Sequence, residues 1–317
     1  MSYIRRAVID VGTNSMKLLV ADVAGHDVRP VCEESKQTRL GRGFYDTHRL
    51  QPEPIAKTAK AVMNYATKSR ELSAVSIRVV ATSAARDAVN QQELISAIET
   101  SSGLKVEIIS GDQEAEWAFQ GVTTDPELAT LPLLLLDVGG GSTEFILGKG
   151  EHKHFQHSFP LGTVRLMEKI PQSDPPTMEE LAHCLDWLKT FFKQEVQPKL
   201  GPKMEREKKA DVTNAGVQLV GTGGTASILA RMELKADEYD RKNIEAARLS
   251  LERVRWHVKN LWSMPLEKRQ QIIGLPKKRA DVILTGAAIY EAVMEEFGFA
   301  DLRVTTRGLR FAAVMEP

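Results

Sequence analysis

Three short glycine-bearing segments carry the residues best suited to chemistry. DVGTNS (10–15) and DVGGGSTE (137–144) each place a carboxylate at the end of an apolar run and follow it with small and hydroxyl side chains, and VGTGGTAS (220–227) supplies a third such run. A turn bare of side chains lets several backbone N–H groups approach the oxygens of one phosphate. Gly12, Thr13, Asn14 and Ser15 form one candidate cradle, and Gly139, Gly140, Gly141, Ser142 and Thr143 a second. Gly221, Gly223 and Gly224 form a third, ahead of a helix whose N-terminus would favour an anion. Asp10, Asp137 and Glu144 stand beside these turns as candidate metal ligands. Carboxylates next to phosphate suit Mg²⁺, with Mn²⁺ as a substitute, because hard cations take oxygen ligands. Asp10 also reads as an acceptor that stabilises its own turn. Neither GxGxxG nor GxxxxGK[ST] occurs, so the expectation of phosphate binding rests on the three turns together.

Such turns act only if strands hold them. RRAVIDV (5–11) and MKLLVADV (16–23) read as strands split by a tight turn, and LPLLLLDV (131–138) and TEFILG (143–148) repeat the pattern. DVGTNSMKLLV (10–20) and DVGGGSTEFIL (137–147) are an internal echo, which predicts two related lobes with their strand turns on either side of a cleft. Further strands are expected in DVRPVCEE and just before Gly41, and at 76–82, 105–110 and 152–159, VQLVGT and LRVTT. Apolar spacing predicts helices over 53–71 and 91–102, after SGDQ, and over 177–198, 224–233, 246–262, 265–272 and 279–297. The charged stretch 199–214 reads as an exposed loop.

Composition limits the alternatives. Lys plus Arg (42) balances Asp plus Glu (42), so no global basic field advertises nucleic acid or another polyanion, and any anion site must be local. The N-terminus reads as lacking a signal peptide, and the longest apolar run, LPLLLL, is too short to cross a bilayer. Cys32 and Cys184 have no metal-ligand spacing and read as reduced, unreactive thiols of a cytoplasmic protein.

DVGTNSMKLLV, ATSAARDAVN (81–90), SGDQEAEWAFQGV (110–122), DVGGGSTE, LVGTGGTAS (219–227) and RADVILTGAAIYEA (279–292) occur in an order that resembles the exopolyphosphatase and guanosine-pentaphosphate phosphohydrolase family, Ppx/GppA. The resemblance runs over essentially the whole chain. It implies an α/β fold of two actin-like (ribonuclease H-like) lobes with an active cleft between them. Residues 1–124 would form the first lobe, 125–306 the second with helical additions, and 307–317 a helix returning to the first. The resemblance also assigns roles: Glu114 would orient or activate the attacking water, and Arg86 would contact phosphate. Where the family usually has a second acid before that glutamate, this chain has Gln113. The chemistry agrees, since a carboxylate can accept a water proton and a planar guanidinium pairs with phosphate oxygens. On residues alone, Glu114 also reads as a surface glutamate and Arg86 as an ion-pair partner of Asp87.

The implied activity is hydrolysis of the terminal phosphoanhydride of polyphosphate or guanosine pentaphosphate, and a homodimer is the family's expectation. Two rivals stay open at this point, a small-molecule kinase of the same superfold and a non-catalytic nucleotide switch or assembly protein. Longer family members carry C-terminal domains that extend the surface for long polymers, whereas this chain ends at RGLRFAAVMEP. Its basic residues near the turns are Arg39, Arg42 and Arg86, with Lys199, Lys203, Arg206, Lys208 and Lys209 as an outer patch. Fewer cationic contacts mean weaker, more salt-sensitive capture of a long polyanion. Short chains should therefore be preferred and release should be distributive. Product sizing during partial digestion of a long polymer checks this, because a gradually shortening population supports it and full-length polymer persisting beside free phosphate overturns it.

Overall fold

Continuous apolar runs, buried on both faces, build the central strands of the first unit. In the computed structural model, which describes residues 2–210 and 216–316, this unit comprises residues 1–125, 139–142 and 307–317. β1 (Ile4–Val11), β2 (Ser15–Ala24) and β3 (Asp27–Gln37) form an antiparallel meander. α1 (Pro52–Glu71), β4 (Ser76–Ala81), α2 (Ser83–Arg86), α3 (Gln91–Ser102), β5 (Val106–Ile108) and α4 (Gly111–Val122) follow. β4 pairs in parallel with β1, and β5 with β4, which gives the order β3-β2-β1-β4-β5. Ala7, Ile9, Val11, Leu18 and Val20 pack with α1 and α3 on one face, whereas Val8, Leu19, Ala21 and Val23 pack with Trp117 on the other. Period two sends neighbouring residues to opposite faces, so both sides of this sheet are covered.

The second unit, residues 126–138 and 143–306, repeats the topology. β6 (Leu133–Val138), β7 (Thr143–Lys149) and β8 (His152–Phe159) form its meander, followed by α5 (Thr163–Lys169), α6 (Met178–Phe191) and α7 (Gln197–Ala210). β9 (Gln218–Thr222), α8 (Gly223–Leu234), α9 (Arg241–Ala246), β10 (Arg248–Ser250), α10 (Leu251–Trp262), α11 (Leu266–Arg269), α12 (Ile283–Phe297) and β11 (Asp301–Val304) complete it. The sheet order is β10-β11-β9-β6-β7-β8, with β9 parallel to β6 and β11 parallel to β9. Without the added edge strand β10, this is the first unit's order read with β6, β7, β8, β9 and β11 in the places of β1 to β5. The chain closes with α13 (Leu309–Ala313), which belongs to the first unit and packs on α4. A side chain at Gly121 of α4 would strike the backbone of Gly308, so glycine sets that close approach.

Four sequence expectations are corrected. No separate further strand leads into Gly41; β3 itself runs on to Gln37 and turns follow. Residues 199–210 are helical rather than an exposed loop, and 211–215 lie outside the described residues. The stretch 246–262 is not one helix, because β10 interrupts it. The segment 265–272 is helical only over α11. Between α6 and α7 the ladder widens into a π turn at Phe192–Val196, where the Gln197 N–H bonds the Phe192 carbonyl. Pro198 follows with no N–H to donate, which lets the ladder absorb the extra residue there. Among the described residues no helix is long and apolar enough to cross a membrane.

Both cysteines are free thiols. Burial, with Glu291 nearby, pushes the Cys184 thiol up to about 12, so it is inert at neutral pH. Glu291 on α12 is itself only 6 % exposed, and its Oε2 has no hydrogen-bond partner among the described residues. Burial, and then the like charge of Glu295, raise its carboxyl to about 7 against the opposing pull of Arg255 and Lys259. The folded chain therefore keeps a proton that an unfolded chain releases near the ordinary glutamate value. Stability from this group is full below that value and should be lost as pH rises to about 7, by at most ~3 kcal/mol. Urea unfolding from pH 5 to 8 should show that slope, and Glu291→Gln should flatten it; an unchanged slope in the variant would clear Glu291 of the effect.

Candidate functional site

The β1–β2 turn is closed by one backbone bond, from Gly12 N–H to the Ser15 carbonyl at 3.2 Å. Gly139 N–H bonds the Ser142 carbonyl in the same way at 3.0 Å, so the two echoed segments make the same kind of turn. Both turns belong to the first unit. The Cα of Gly140 packs on Thr13, and a Cβ there would stand 2.9 Å from Thr13 Cβ and 3.2 Å from the Asn14 nitrogen. A side chain at Gly141 would collide with Tyr45 Oη and Ser83 Oγ and stand 2.9 Å from Thr13 Oγ1. Glycine is thus required where hydroxyls from three segments converge.

That convergence is polar and short of partners. Asn14 Nδ2 and Ser83 Oγ are buried with no hydrogen-bond partner among the described residues. Asn14 is 4 % exposed and Ser83 2 %. Buried donors left in this state are costly, and a polar ligand is one kind of group that would satisfy them. Thr13 Oγ1 meanwhile accepts from the Ala84 N–H at 3.3 Å, which ties the start of α2 to the turn.

α2 ends at Arg86. Arg86 Nη1 donates to Glu114 Oε2 at 3.0 Å and to the Ile109 carbonyl at 3.1 Å, whereas Asp87 stands farther off at 3.7 Å. Glu114 occupies the first turn of α4 because Ser110 caps that helix, its Oγ accepting from the Gln113 N–H. The two residues assigned from the resemblance are therefore each other's partners, and both side chains keep some exposure. Asp10 is different. It is buried, faces Lys17 across the β1–β2 pair, and burial raises its carboxyl above the usual range against Lys17 and Arg310.

In the second unit, Asp137 and Glu144 are direct cross-strand neighbours on β6 and β7. Side chains so paired share one face of the sheet, and two carboxylates there repel each other unless a cation or donors intervene. Ser158 Oγ donates to Glu144 Oε1 at 2.7 Å. Among the described residues no group of three or more His, Cys, Asp or Glu side chains gathers as a metal cage. Two carboxylates nonetheless fit a hard cation that takes its other ligands from phosphate and water. Thr143 is turned inward instead, its Oγ1 donating to the Leu161 carbonyl.

The third turn packs around Asp137. Gly223 has φ +80°, and a side chain there would strike Asp137 Oδ1. Arg279 Nη2 would lie 2.6 Å from a Cβ at Gly224, and Tyr290 Oη 2.9 Å from one at Gly221. Thr225 Oγ1 donates to the Val138 carbonyl at 3.0 Å, fixing α8 to β6. Arg279 is 8 % exposed and stands next to Ala280, whose carbonyl accepts from buried Arg269. Sequence reasoning did not single out Ser83, Tyr45 or Arg279. Ser83 lies inside the quoted ATSAARDA and Arg279 opens RADVILTG, so those motifs held a signal, whereas nothing local marks Tyr45. The outer basic patch is partly helical surface: Lys199 on α7 stands 3.1 Å from His157 Nε2. The side chain of Lys208 lies outside the described residues.

An α/β chain with this twice-used strand order and glycine turns at the ends of matching strands has the make-up of an actin-like phosphate-handling protein. The model of the Ppx/GppA phosphatase family matches residues 19–315, and the chain belongs to that family. It is similar to exopolyphosphatase 2 of Mycobacterium tuberculosis, at 34% identity over 93% of this chain and 92% of that protein. Among solved structures, an Aquifex aeolicus PPX-GPPA enzyme is 29% identical with a TM-score of 0.77, covering 99% of this chain and 100% of that one. An exopolyphosphatase from Cytophaga hutchinsonii is 26% identical with a TM-score of 0.82, covering 97% and 96%.

Proposed function

We propose that this protein hydrolyses the terminal phosphoanhydride bond of inorganic polyphosphate, with guanosine pentaphosphate as a second substrate. The observation that carries the reading is the Arg86–Glu114 pair, with Ser83 Oγ on the same helix as Arg86 and Asn14 Nδ2 in the β1–β2 turn both buried and without a hydrogen-bond partner among the described residues. Membership of a phosphatase family and the likeness to an exopolyphosphatase support the choice of polyphosphate over a sugar or carboxylate acceptor.

Phosphoryl transfer to water asks for positioning and charge stabilisation rather than covalent chemistry. Backbone N–H groups of the turns at Gly12–Ser15 and Gly139–Ser142, with Ser83 Oγ and Asn14 Nδ2, receive oxygens of the terminal phosphate. Arg86 offers its planar fork to the same group. Glu114 accepts a proton from water as the water oxygen bonds to phosphorus; the bridging oxygen leaves with the shortened chain and keeps the electron pair of the broken bond. Asp137 and Glu144 would hold a divalent cation, which supplies neutralisation of phosphate charge. Neither cysteine has a role, and free thiols suit a reducing compartment such as the cytoplasm.

The deciding assay is phosphate release, with Mg²⁺, from polyphosphates of defined length beside guanosine pentaphosphate; no release from any of them rejects the reading. Glu114→Gln keeps the shape but removes the base, so turnover should fall by roughly 10²–10⁴-fold while polyphosphate binding survives. Near-normal turnover in the folded variant would remove Glu114 from the mechanism. Chelator should abolish activity, and Asp137→Asn should raise the Mg²⁺ concentration needed for half-maximal rate. A metal requirement unchanged by Asp137→Asn would put that carboxylate outside the metal site.

A further inference from the structure

Glu114 stands in the first turn of α4, so whatever fixes α4 fixes Glu114. That helix packs chiefly on α13, the last helix of the chain, and α13 in turn packs on β1. Leu309, Phe311, Ala312 and Val314 share one buried cluster with Trp117 of α4 and with Val8 and Leu19 of the sheet. Apolar burial is non-directional, so the register of two short helices is set by directional contacts as well.

Such contacts pin the C-terminal segment along its length. Arg307 Nη1 donates to Thr124 Oγ1 at 2.8 Å, just beyond the end of α4. Arg310 Nη1 donates to the Leu18 carbonyl at 2.8 Å. Past the middle of α13, Arg78 Nη1 reaches the Ala313 carbonyl at 3.3 Å and Arg6 Nη1 the Met315 carbonyl at 2.6 Å, where the open carbonyls of a helix end attract cations. Glu316 closes the far end. Its Oε1 accepts from Trp117 Nε1 at 2.8 Å, and its Oε2 accepts from Arg78 Nη1 at 3.0 Å. The Arg78 guanidinium also lies over the Trp117 ring, 5.7 Å from its centroid.

One carboxylate therefore ties α4 to the sheet. Trp117 sits on α4 three residues after Glu114, and Arg78 sits on β4. Trp117 is only 2 % exposed, so loss of the Glu316 acceptor would leave its indole N–H with little access to water. We propose that Glu316 is a positioning residue: through Trp117 and Arg78 it fixes α4 against β4, and so holds the Glu114 carboxylate where water attacks the terminal phosphate. The proposal rests on the phosphohydrolase reading for the step it serves. Glu316 touches no substrate, and its effect passes through Glu114. A catalytic group misplaced by about 1 Å loses much of its effect. The Gly12–Ser15 turn, by contrast, is closed by its own backbone bond. The signature is therefore kcat lost at unchanged KM.

Glu316→Ala should lower kcat on polyphosphate roughly tenfold, with KM within about threefold. Glu316→Gln, whose amide oxygen can still accept from Trp117 Nε1, should recover part of that loss. In a Glu114→Gln background, Glu316→Ala should cost nothing further, because the group it positions is already gone. Amide hydrogen exchange supplies a readout that needs no substrate. The amides of Gly111–Val122 should exchange faster in Glu316→Ala, while those of β1 and α1 keep their native rates. Wild-type kcat in Glu316→Ala overturns the proposal. So does an equal loss of kcat with and without the Glu114 carboxylate, or a raised KM together with a lowered melting temperature; either would make Glu316 a general stabiliser of the fold. If the native protein releases no phosphate from polyphosphate, the hydrolytic reading falls on its own. Exchange in α4 then still decides whether Glu316 holds that helix, and native rates there refute it.

Discussion

A single backbone hydrogen bond, from the N–H of a glycine to the carbonyl of a serine three residues on, sets the geometry on which the rest depends. It occurs at Gly12–Ser15 and again at Gly139–Ser142. By closing the hairpin so tightly, it leaves the intervening amides outside the strand ladder, with N–H groups not consumed by the sheet. Both hairpins are in strict antiparallel register up to the turn, Val11 opposite Met16 and Val138 opposite Thr143. A slip of one residue in either pair would send its carboxylate, Asp10 or Asp137, to the other face of its sheet. The buried apolar runs of β1, β2, β6 and β7 forbid that slip, so burial of Val, Ile and Leu fixes where the two carboxylates stand.

The same physics gives the echoed carboxylates different surroundings. Asp10 is opposed by Lys17 and Asp137 by Glu144, a difference of one side chain at matching positions of the two hairpins. Even with Lys17 opposite, burial holds the Asp10 carboxyl above its usual range. Two carboxylates facing each other, with Ser158 donating to one of them, repel unless donors or a cation lie between them. The echoed hairpins thus share a turn but differ in the residue opposite the carboxylate, and in the first of them the pull of Lys17 and Arg310 is outweighed by burial.

Elements whose signal is local were legible in the sequence. The hairpins, α1, α3 and β8 follow from apolar period and turn residues, and the repeated DVG segment announced the repeated topology. What failed was set by longer-range or rarer causes. The chain from 199 to 210 carries Gly201, Pro202 and many charges, all of which argue against a helix. Buried Leu200 and Met204 hold it helical all the same by packing into the second core. β10 is three residues long and exists because β11 offers it an edge. The glycine turns were legible as strand-joining turns, and Arg86 and Glu114, taken from separate motifs, stand in hydrogen-bond contact. The meeting of Tyr45 and Ser83 at Gly141 was not legible, because it depends on how the loop after β3 and the start of α2 close over Thr13.

The unpartnered buried polar atoms bear on stability as well as on binding. Each buried donor without an acceptor costs about 1–3 kcal/mol relative to a satisfied one. Asn14, Thr38 and Ser83 lie on segments joined by main-chain bonds to one turn, so the folded state carries this cost in one place. Packing elsewhere bears it: Leu18, Val20, Val62 and Val79, all fully or almost fully buried, hold the sheet and α1 beneath the turn whether or not an anion is bound. An anion that reached such a donor would supply its missing partner while the sheet and α1 beneath the turn stayed packed. Pre-paid in this way, the desolvation of the donors does not have to be met again at the moment of binding, and that is the sense in which a site of neutral amides and hydroxyls can hold a heavily hydrated phosphate.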